Sequence, residues 1–169
     1  MQKIISTHQP IIPSTHQQIS KSTHQQISKS THCRIAIVGC GLIGQKRAKA
    51  LCGHKLVACA DADIKKAEIL AKSISGCIAI ESWEELIKRK DIDIVVVAVN
   101  HVSLPEITFA AVDAKKHVLV EKPAARRAGD LDVIIKKAKE NNVLVHVGFN
   151  HRYHRAFFKA KELVESGAL

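Results

Sequence analysis

Four groups of side chains in this 169-residue sequence have the types and spacing to do chemistry together. The first is Gly39-x-Gly41-x-x-Gly44, inside the run R-I-A-I-V-G-C-G-L-I-G at 34–44. An apolar strand there enters a glycine turn and then a helix. Such a turn can cradle a dinucleotide pyrophosphate. Its first glycine makes the turn, its second lets backbone approach the phosphates, and its third lets the helix lie on the strand. The free N–H groups of the helix start add a partial positive charge. The second group is Asp61, 22 residues after Gly39. A carboxylate at the end of the next strand accepts hydrogen bonds from adenosine ribose hydroxyls and repels an added phosphate, so NAD is favoured. Lys65 and Lys66 stand close by and keep NADP possible.

The third group is Glu121-Lys122-Pro123. Oxidising a secondary alcohol by hydride transfer needs a group that takes the hydroxyl proton. A lysine does this when burial and a nearby nicotinamide cation lower its pKa. Lys122 is the candidate, with Pro123 fixing the backbone and Glu121 either holding the ammonium or contacting the cofactor. By itself, Glu-Lys-Pro also reads as a solvated turn, just as a glycine turn can be an idle strand–helix connection. The fourth group is the set of hydrogen-bonding residues at Asn100-His101 and Asn150-His151-Arg152. His151 and His154 stand three apart but no third ligand is in view, so no metal site is expected. His151 reads as a substrate or cofactor contact.

Elements of regular length must hold these groups. Strand Ile35–Val38 leads to helix Ile43–Gly53, and strand Lys55–Ala60 leads through Asp61 to helix Lys65–Ser73. Strand Cys77–Ile80 is followed by Ser82 and, three residues on, Glu85, the spacing of a capping box that opens helix Trp83–Arg89. The β-branched run Ile92–Val99 reads as a central strand buried on both faces. Helix Pro105–Ala114, strand His117–Val120, helix Asp130–Glu140, strand Val143–Gly148 and helix Arg155–Glu165 complete the series. Strands alternating with helices predict an α/β fold, a doubly wound parallel sheet, in which ligands bind beyond the carboxyl ends of the strands. All four groups follow strand ends. Residues 34–152 are expected to form this dinucleotide-binding domain.

Composition narrows the alternatives. The apolar fraction is 46% and the formal net charge is +10, from 26 Lys+Arg against 16 Asp+Glu. The lysines are spread along helices without a dense basic run or interleaved aromatics, so phosphates of a small ligand suit the charge and nucleic acid is not expected. The five cysteines have no C-x-x-C spacing and read as core fillers in a reducing compartment. No apolar run reaches the about 18 residues of a membrane span, and the N-terminus lacks a signal-peptide core. A cytoplasmic protein without membrane contact is expected.

Residues 1–33 differ in kind. Ser-Thr-His recurs every eight residues from Ser6 to His32, and the octet S-T-H-Q-Q-I-S-K occurs twice. One isoleucine per octet cannot offset the entropy of ordering the backbone, so a disordered tail is expected. Metal capture by His8, His16, His24 and His32 is the sharper alternative, and a translated repeat upstream of the true start is the plainer one.

Residues 34–169 resemble the N-terminal half of the Gfo/Idh/MocA oxidoreductases, the glucose–fructose oxidoreductase, inositol dehydrogenase and rhizopine catabolism family. The matching stretches are the glycine run at 34–44, A-C-A-D at 58–61, D-I-V-V-V-A-V at 93–99, K-H-V-L-V-E-K-P at 116–123 and V-G-F-N-H-R-Y at 147–153. The resemblance implies a Rossmann domain holding NAD or NADP through Gly39, Gly41, Leu42, Ile43, Gly44, Asp61, Asn100 and Glu121. It implies Lys122 as the catalytic residue, and Lys122, Asn150, His151 and Arg152 toward the substrate. The implied reaction oxidises a ring hydroxyl of a sugar, cyclitol or nucleotide sugar. Relatives often carry Thr-Pro-Asn and then His after the fourth strand, where this chain has Val99-Asn100-His101 and Leu104. Relatives also carry a second α/β domain that holds substrate and mediates homo-oligomers. Residues 153–169 are expected to be its truncated beginning, with that second domain missing. A chain of this kind that binds dinucleotide without turnover is the alternative reading, and a basic nucleic-acid scaffold a weaker one.

Overall fold

The computed structural model describes residues 32–168. The octet repeats at 1–31, their expected disorder and the metal alternative at His8, His16 and His24 lie outside the described residues. Six strands alternate with helices: β1 (Arg34–Val38), β2 (Lys55–Ala60), β3 (Ile78–Ile80), β4 (Ile94–Val97), β5 (His117–Val120) and β6 (Val145–Val147). The helices are α1 (Leu42–Lys49), α2 (Ile64–Lys72), α3 (Trp83–Lys88), α4 (Leu104–Asp113), α5 (Gly129–Glu140) and α6 (Arg155–Glu165), with a 3-10 turn at Asn150–Tyr153. The strands form one sheet in the order β3-β2-β1-β4-β5-β6. Every pairing is parallel.

This order reverses between β1 and β4. The chain leaves β1 toward β3, then returns to continue on the other side. The crossovers put α1 and α2 side by side, sharing a groove lined by Gln45, Ala48, Ile69 and Leu70. On the other face, α4 packs against both α3 and α5. Covered on both faces, β1 and β4 read as continuous apolar runs, and Ile37, Val95 and Val97 have no exposure. At the reversal, the helices diverge and leave a crevice beyond the carboxyl ends of the strands.

Local chemistry sets the boundaries. Asp63 caps α2 by accepting from the Lys65 N–H at 3.2 Å, and Ser82 Oγ caps α3 by accepting from the Glu85 N–H at 3.1 Å. Helix α1 ends at Lys49, short of the expected Gly53, because Cys52 and Gly53 take left-handed φ values of 48° and 87°. Strand β4 is shorter than the run Ile92–Val99, with single ladder bonds beyond it from Asp93 N–H to Arg34 O and Ala98 N–H to Val38 O.

Titration is shifted at the amino-terminal edge of the sheet. Arg34 forms a two-pronged pair with Asp93, at 3.1 and 2.7 Å, and holds that carboxyl below its ordinary range. Burial lowers the Lys116 ammonium, which donates to the carbonyls of Arg89 and Ile92 at 2.7 and 2.8 Å. Burial also lowers His117, whose Nδ1 accepts from the Leu144 N–H at 3.0 Å. The cysteines only partly match the expectation of core fillers. Cys33, Cys40 and Cys59 are buried, Cys77 is half-buried, and Cys52 is exposed in the turn after α1. Hydrogen bonding with Cys40 and burial push the Cys59 thiol up to about 12.

Candidate functional site

The three glycines at the end of β1 do different work. Gly39 has φ +96°, its N–H donates to Ala60 O at 2.8 Å, and a Cβ there would lie 2.3 Å from Ala98 O. Gly44 is buried where α1 crosses β1, and a Cβ there would lie 1.9 Å from Gly39 O. Gly41 is the opposite case, for a Cβ there would meet nothing within 4 Å. Beyond its fitness as an N-cap, nothing packed around residue 41 requires glycine. A ligand brought against the backbone does. Gly41 is also the N-cap of α1, with no side chain capping the helix and no acidic residue in its first turn. The first-turn N–H groups of Leu42 and Ile43 therefore remain available to an anion, and the macrodipole favours one. These residues fit a pyrophosphate.

Asp61 is pinned beside the turn. Its Oδ2 accepts from the Cys40 N–H at 2.7 Å and its Oδ1 from the Asp63 N–H at 2.9 Å. An ionised carboxylate has further acceptor sites on both oxygens, so ribose hydroxyls can still be received. Gly39, Gly41, Asp61 and Asn100 line one cleft of about 430 Å³. Glu81, Ser82, Trp83 and Glu84 close its far wall, which the sequence reading missed. Their place follows from β3, whose carboxyl end delivers Glu81 beside β2. Neither Lys65 nor Lys66 lines the cleft, and Lys66 is paired with Asp63 at 3.6 Å. Asn100 faces its own turn, with Oδ1 accepting from Val102 and Ser103 N–H at 3.0 and 3.2 Å.

A second cluster lies at the ends of β5 and β6. Glu121 is 8% exposed and accepts from Arg47 Nε at 2.6 Å and from Arg47 Nη2. Arg47 Nη2 also donates to Asn150 Oδ1 at 3.0 Å. Gly148 leaves room for this pair, since a Cβ there would lie 3.0 Å from Arg47 Nη2 and 3.2 Å from Glu121 Oε1. Glu121 therefore does not hold the Lys122 ammonium, as the sequence reading allowed. The planar fork of Arg47 takes that carboxylate instead. Arg47 is the residue the sequence reading missed here. Its signal was the three-residue step from Gly44, which puts it on the face of α1 turned to the sheet.

Lys122 is exposed and makes no hydrogen bond or ion pair among the described residues, so its expected burial is not found. The Lys122–Pro123 peptide is cis. The rings of His151 and Phe157 stack at 6.3 Å, and the Arg152 guanidinium lies 5.9 Å from the Tyr153 ring. Both residues are exposed. Neither lines the cleft, and neither do Lys122 or Asn150. Leu42 and Ile43 are exposed on the first turn of α1, at 69% and 42%. The structure thus joins Gly39, Gly41, Asp61 and Asn100 at one cleft, and Glu121 and Asn150 around Arg47. His154 Nδ1 accepts from the Ala156 N–H at 3.3 Å and caps α6. Among the described residues, no three His, Cys, Asp or Glu side chains group as a metal would require, and no helix is long and apolar enough to cross a membrane.

Comparison with known proteins accords with this geometry. Residues 33–149 match the model of the Gfo/Idh/MocA oxidoreductase family, NAD-binding Rossmann fold. The chain is 32% identical over 139 residues to a myo-inositol 2-dehydrogenase of Thermotoga maritima, a match covering 80% of this chain and 42% of the relative. It is 31% identical over 140 residues to a dTDP-3,4-didehydro-2,6-dideoxy-alpha-D-glucose 3-reductase of Streptomyces violaceoruber, covering 80% and 41%. Among solved structures, GenD2 from gentamicin A biosynthesis in complex with NAD is similar with a TM-score of 0.74 at 27% identity, covering 78% of this chain and 38% of that one. The chain spans about 42% of the length of the curated relatives it matches. The glycine turn, the pinned Asp61 and the sheet reversal fall inside the matched residues, and the chain belongs to the Gfo/Idh/MocA oxidoreductase family through its NAD-binding Rossmann fold.

Proposed function

We propose that this chain is the dinucleotide-binding part of an NAD(P)-dependent oxidoreductase that oxidises a ring hydroxyl of a sugar, cyclitol or nucleotide sugar. The observation that carries the reading is Gly41, whose missing side chain faces open space beside the pinned carboxylate of Asp61. In this reading the amides of Gly41, Leu42 and Ile43 hold the pyrophosphate, and Asp61 receives the ribose hydroxyls. NAD is favoured over NADP because Asp61, Glu81 and Glu84 line the cleft and, among the described residues, no lysine, arginine or histidine does. When bound, the nicotinamide supplies the hydride acceptor. Lys122 takes the proton from the substrate hydroxyl. Arg47 positions Glu121 and Asn150 beside it, and His151 and Arg152 complete the substrate side. A cytoplasmic setting suits the free cysteines.

A second reading, binding without turnover by this chain alone, is favoured by one observation: Lys122 is exposed and lies outside the cleft. Trp83 is the single tryptophan and lines the cleft, so its fluorescence reports occupancy. NAD+ is expected to quench it saturably and NADP+ more weakly, with Asp61→Asn narrowing the gap. Equal affinities in the wild type would sink the NAD preference, and no quenching would sink the dinucleotide site. NAD+ reduction over a panel of cyclitols, sugars and nucleotide sugars, abolished by Lys122→Met, separates the two readings.

A further inference from the structure

A second cleft lies on the same edge of the sheet. It has a volume of about 270 Å³ and is lined by His101, Val102, Pro105, Arg126, Arg127 and Asp130. One wall is the loop from β4 to α4 with the first turn of α4, and the other is the loop from β5 to α5, which begins at Glu121, with the first turn of α5. Asn100 lines the dinucleotide cleft and His101 lines this one, so the β4–α4 loop divides the two.

Both walls are fixed. Asn100 Oδ1 holds the Val102 and Ser103 amides on one side. On the other, Ala124 and Ala125 are 2% and 9% exposed and anchor the loop in the core, so Arg126 and Arg127 emerge from a set point. Neither arginine side chain has a hydrogen bond or ion pair among the described residues. Asp130 offsets part of their charge and leaves the lining positive. Guanidinium groups match phosphate oxygens in paired hydrogen bonds. The contrast with the first cleft is direct: the dinucleotide cleft offers a phosphate backbone amides and acidic walls, whereas this one offers unpaired cationic side chains.

We propose that Arg126, Arg127 and His101 form an anion subsite that receives a phosphoryl group of the substrate, so that the substrate class is a phosphorylated sugar. The assignment rests on the oxidoreductase reading above. Arg126 is four residues from Lys122, which limits their Cα separation to about 14 Å by chain reach. A substrate can therefore offer its hydroxyl to Lys122 and its phosphoryl group to Arg126 and Arg127.

The test is calorimetric titration of the full chain with pyrophosphate at fixed ionic strength, in the presence of saturating NADH. Binding is expected under those conditions, weakened about tenfold or more by Arg126→Gln/Arg127→Gln. The control Lys136→Gln/Lys139→Gln removes two charges from α5 and should leave it unchanged. No binding to the NADH-saturated chain, or equal weakening by both double variants, overturns the proposal. Competition then identifies the source. Displacement by glucose 1-phosphate supports a sugar phosphate, and displacement by UDP-glucose alone supports a nucleotide sugar. Displacement by neither overturns the substrate role. Trp83 quenching by NADH is scored separately. If it is absent, the oxidoreductase reading fails and the substrate role fails with it, while retained pyrophosphate binding locates the fault in that reading and not in the cleft.

Discussion

Replacing Gly41 and Gly44 separately with alanine should split ligand binding from folding. At Gly44 the new methyl would lie 1.9 Å from the Gly39 carbonyl oxygen, against an ordinary contact of at least 3.4 Å. The obstacle is backbone and cannot rotate aside, so helix α1 must lift from β1. Overpacking of this kind costs about 3 kcal/mol, the upper part of its usual range. For a domain of this size that lowers the melting temperature by about 10 °C. At Gly41 the methyl meets nothing within 4 Å and the backbone φ of −69° suits any residue. The remaining cost, alanine being a poorer N-cap than glycine, is about 1 kcal/mol or less. That methyl instead occupies the space a pyrophosphate needs and weakens its hydrogen bonds, for an expected loss of about 2 kcal/mol, or about 30-fold in NADH affinity. Circular-dichroism melts and Trp83 fluorescence titration read the two effects. A Gly41→Ala variant that melts as low as Gly44→Ala, or that binds NADH like the wild type, would refute this division of roles.

Three further outcomes follow from named contacts. Arg47→Ala strands the Glu121 carboxylate, whose side chain is 10% exposed, and should cost about 3 kcal/mol in denaturant unfolding; combining it with Glu121→Gln should cost less than the sum. His117 has its pKa lowered by burial, so its contribution is complete above the unfolded value of about 6.5 and is lost as pH falls through the folded value. Its replacement by Asn, which can still accept from the Leu144 N–H, should flatten the loss of melting temperature between about pH 6.5 and pH 5; an unchanged slope would assign that loss elsewhere. Thr108, in α4, buries a hydroxyl with no hydrogen-bond partner among the described residues, so Thr108→Val should raise stability by about 1 kcal/mol, and a lower melting temperature would contradict this.

How much was legible depended on the range of the interactions. Strands β2 and β5 and helix α6 match their sequence-derived bounds, because alternation of apolar runs with turn residues is local information. The α1 terminus was misplaced because the left-handed turn at Cys52–Gly53 overrides the helical run before it. Gly39, Gly44 and Asp61 were legible because a tight turn and a neighbouring strand dictate their residue types. The Arg47 bond to Glu121 joins residues 74 apart and its bond to Asn150 joins residues 103 apart, and neither spacing leaves a pattern in the chain. Of the two roles open to Glu121, holding the Lys122 ammonium and contacting the cofactor, the first accordingly gave way to a partner on α1. The cleft wall at Glu81–Glu84 was missed for the same reason, since only the sheet order brings the end of β3 to the crevice.

The central claim is that a dinucleotide occupies the crevice between β1 and β4. Amide chemical shifts of the ¹⁵N-labelled chain during NAD+ titration test it residue by residue. Saturable shifts are expected at Gly39–Ile43, Asp61, Ser82–Glu84 and Asn100, with Cys52 and Lys116 at the opposite edge unmoved. Saturable shifts confined to other surfaces, or none at all, would contradict it.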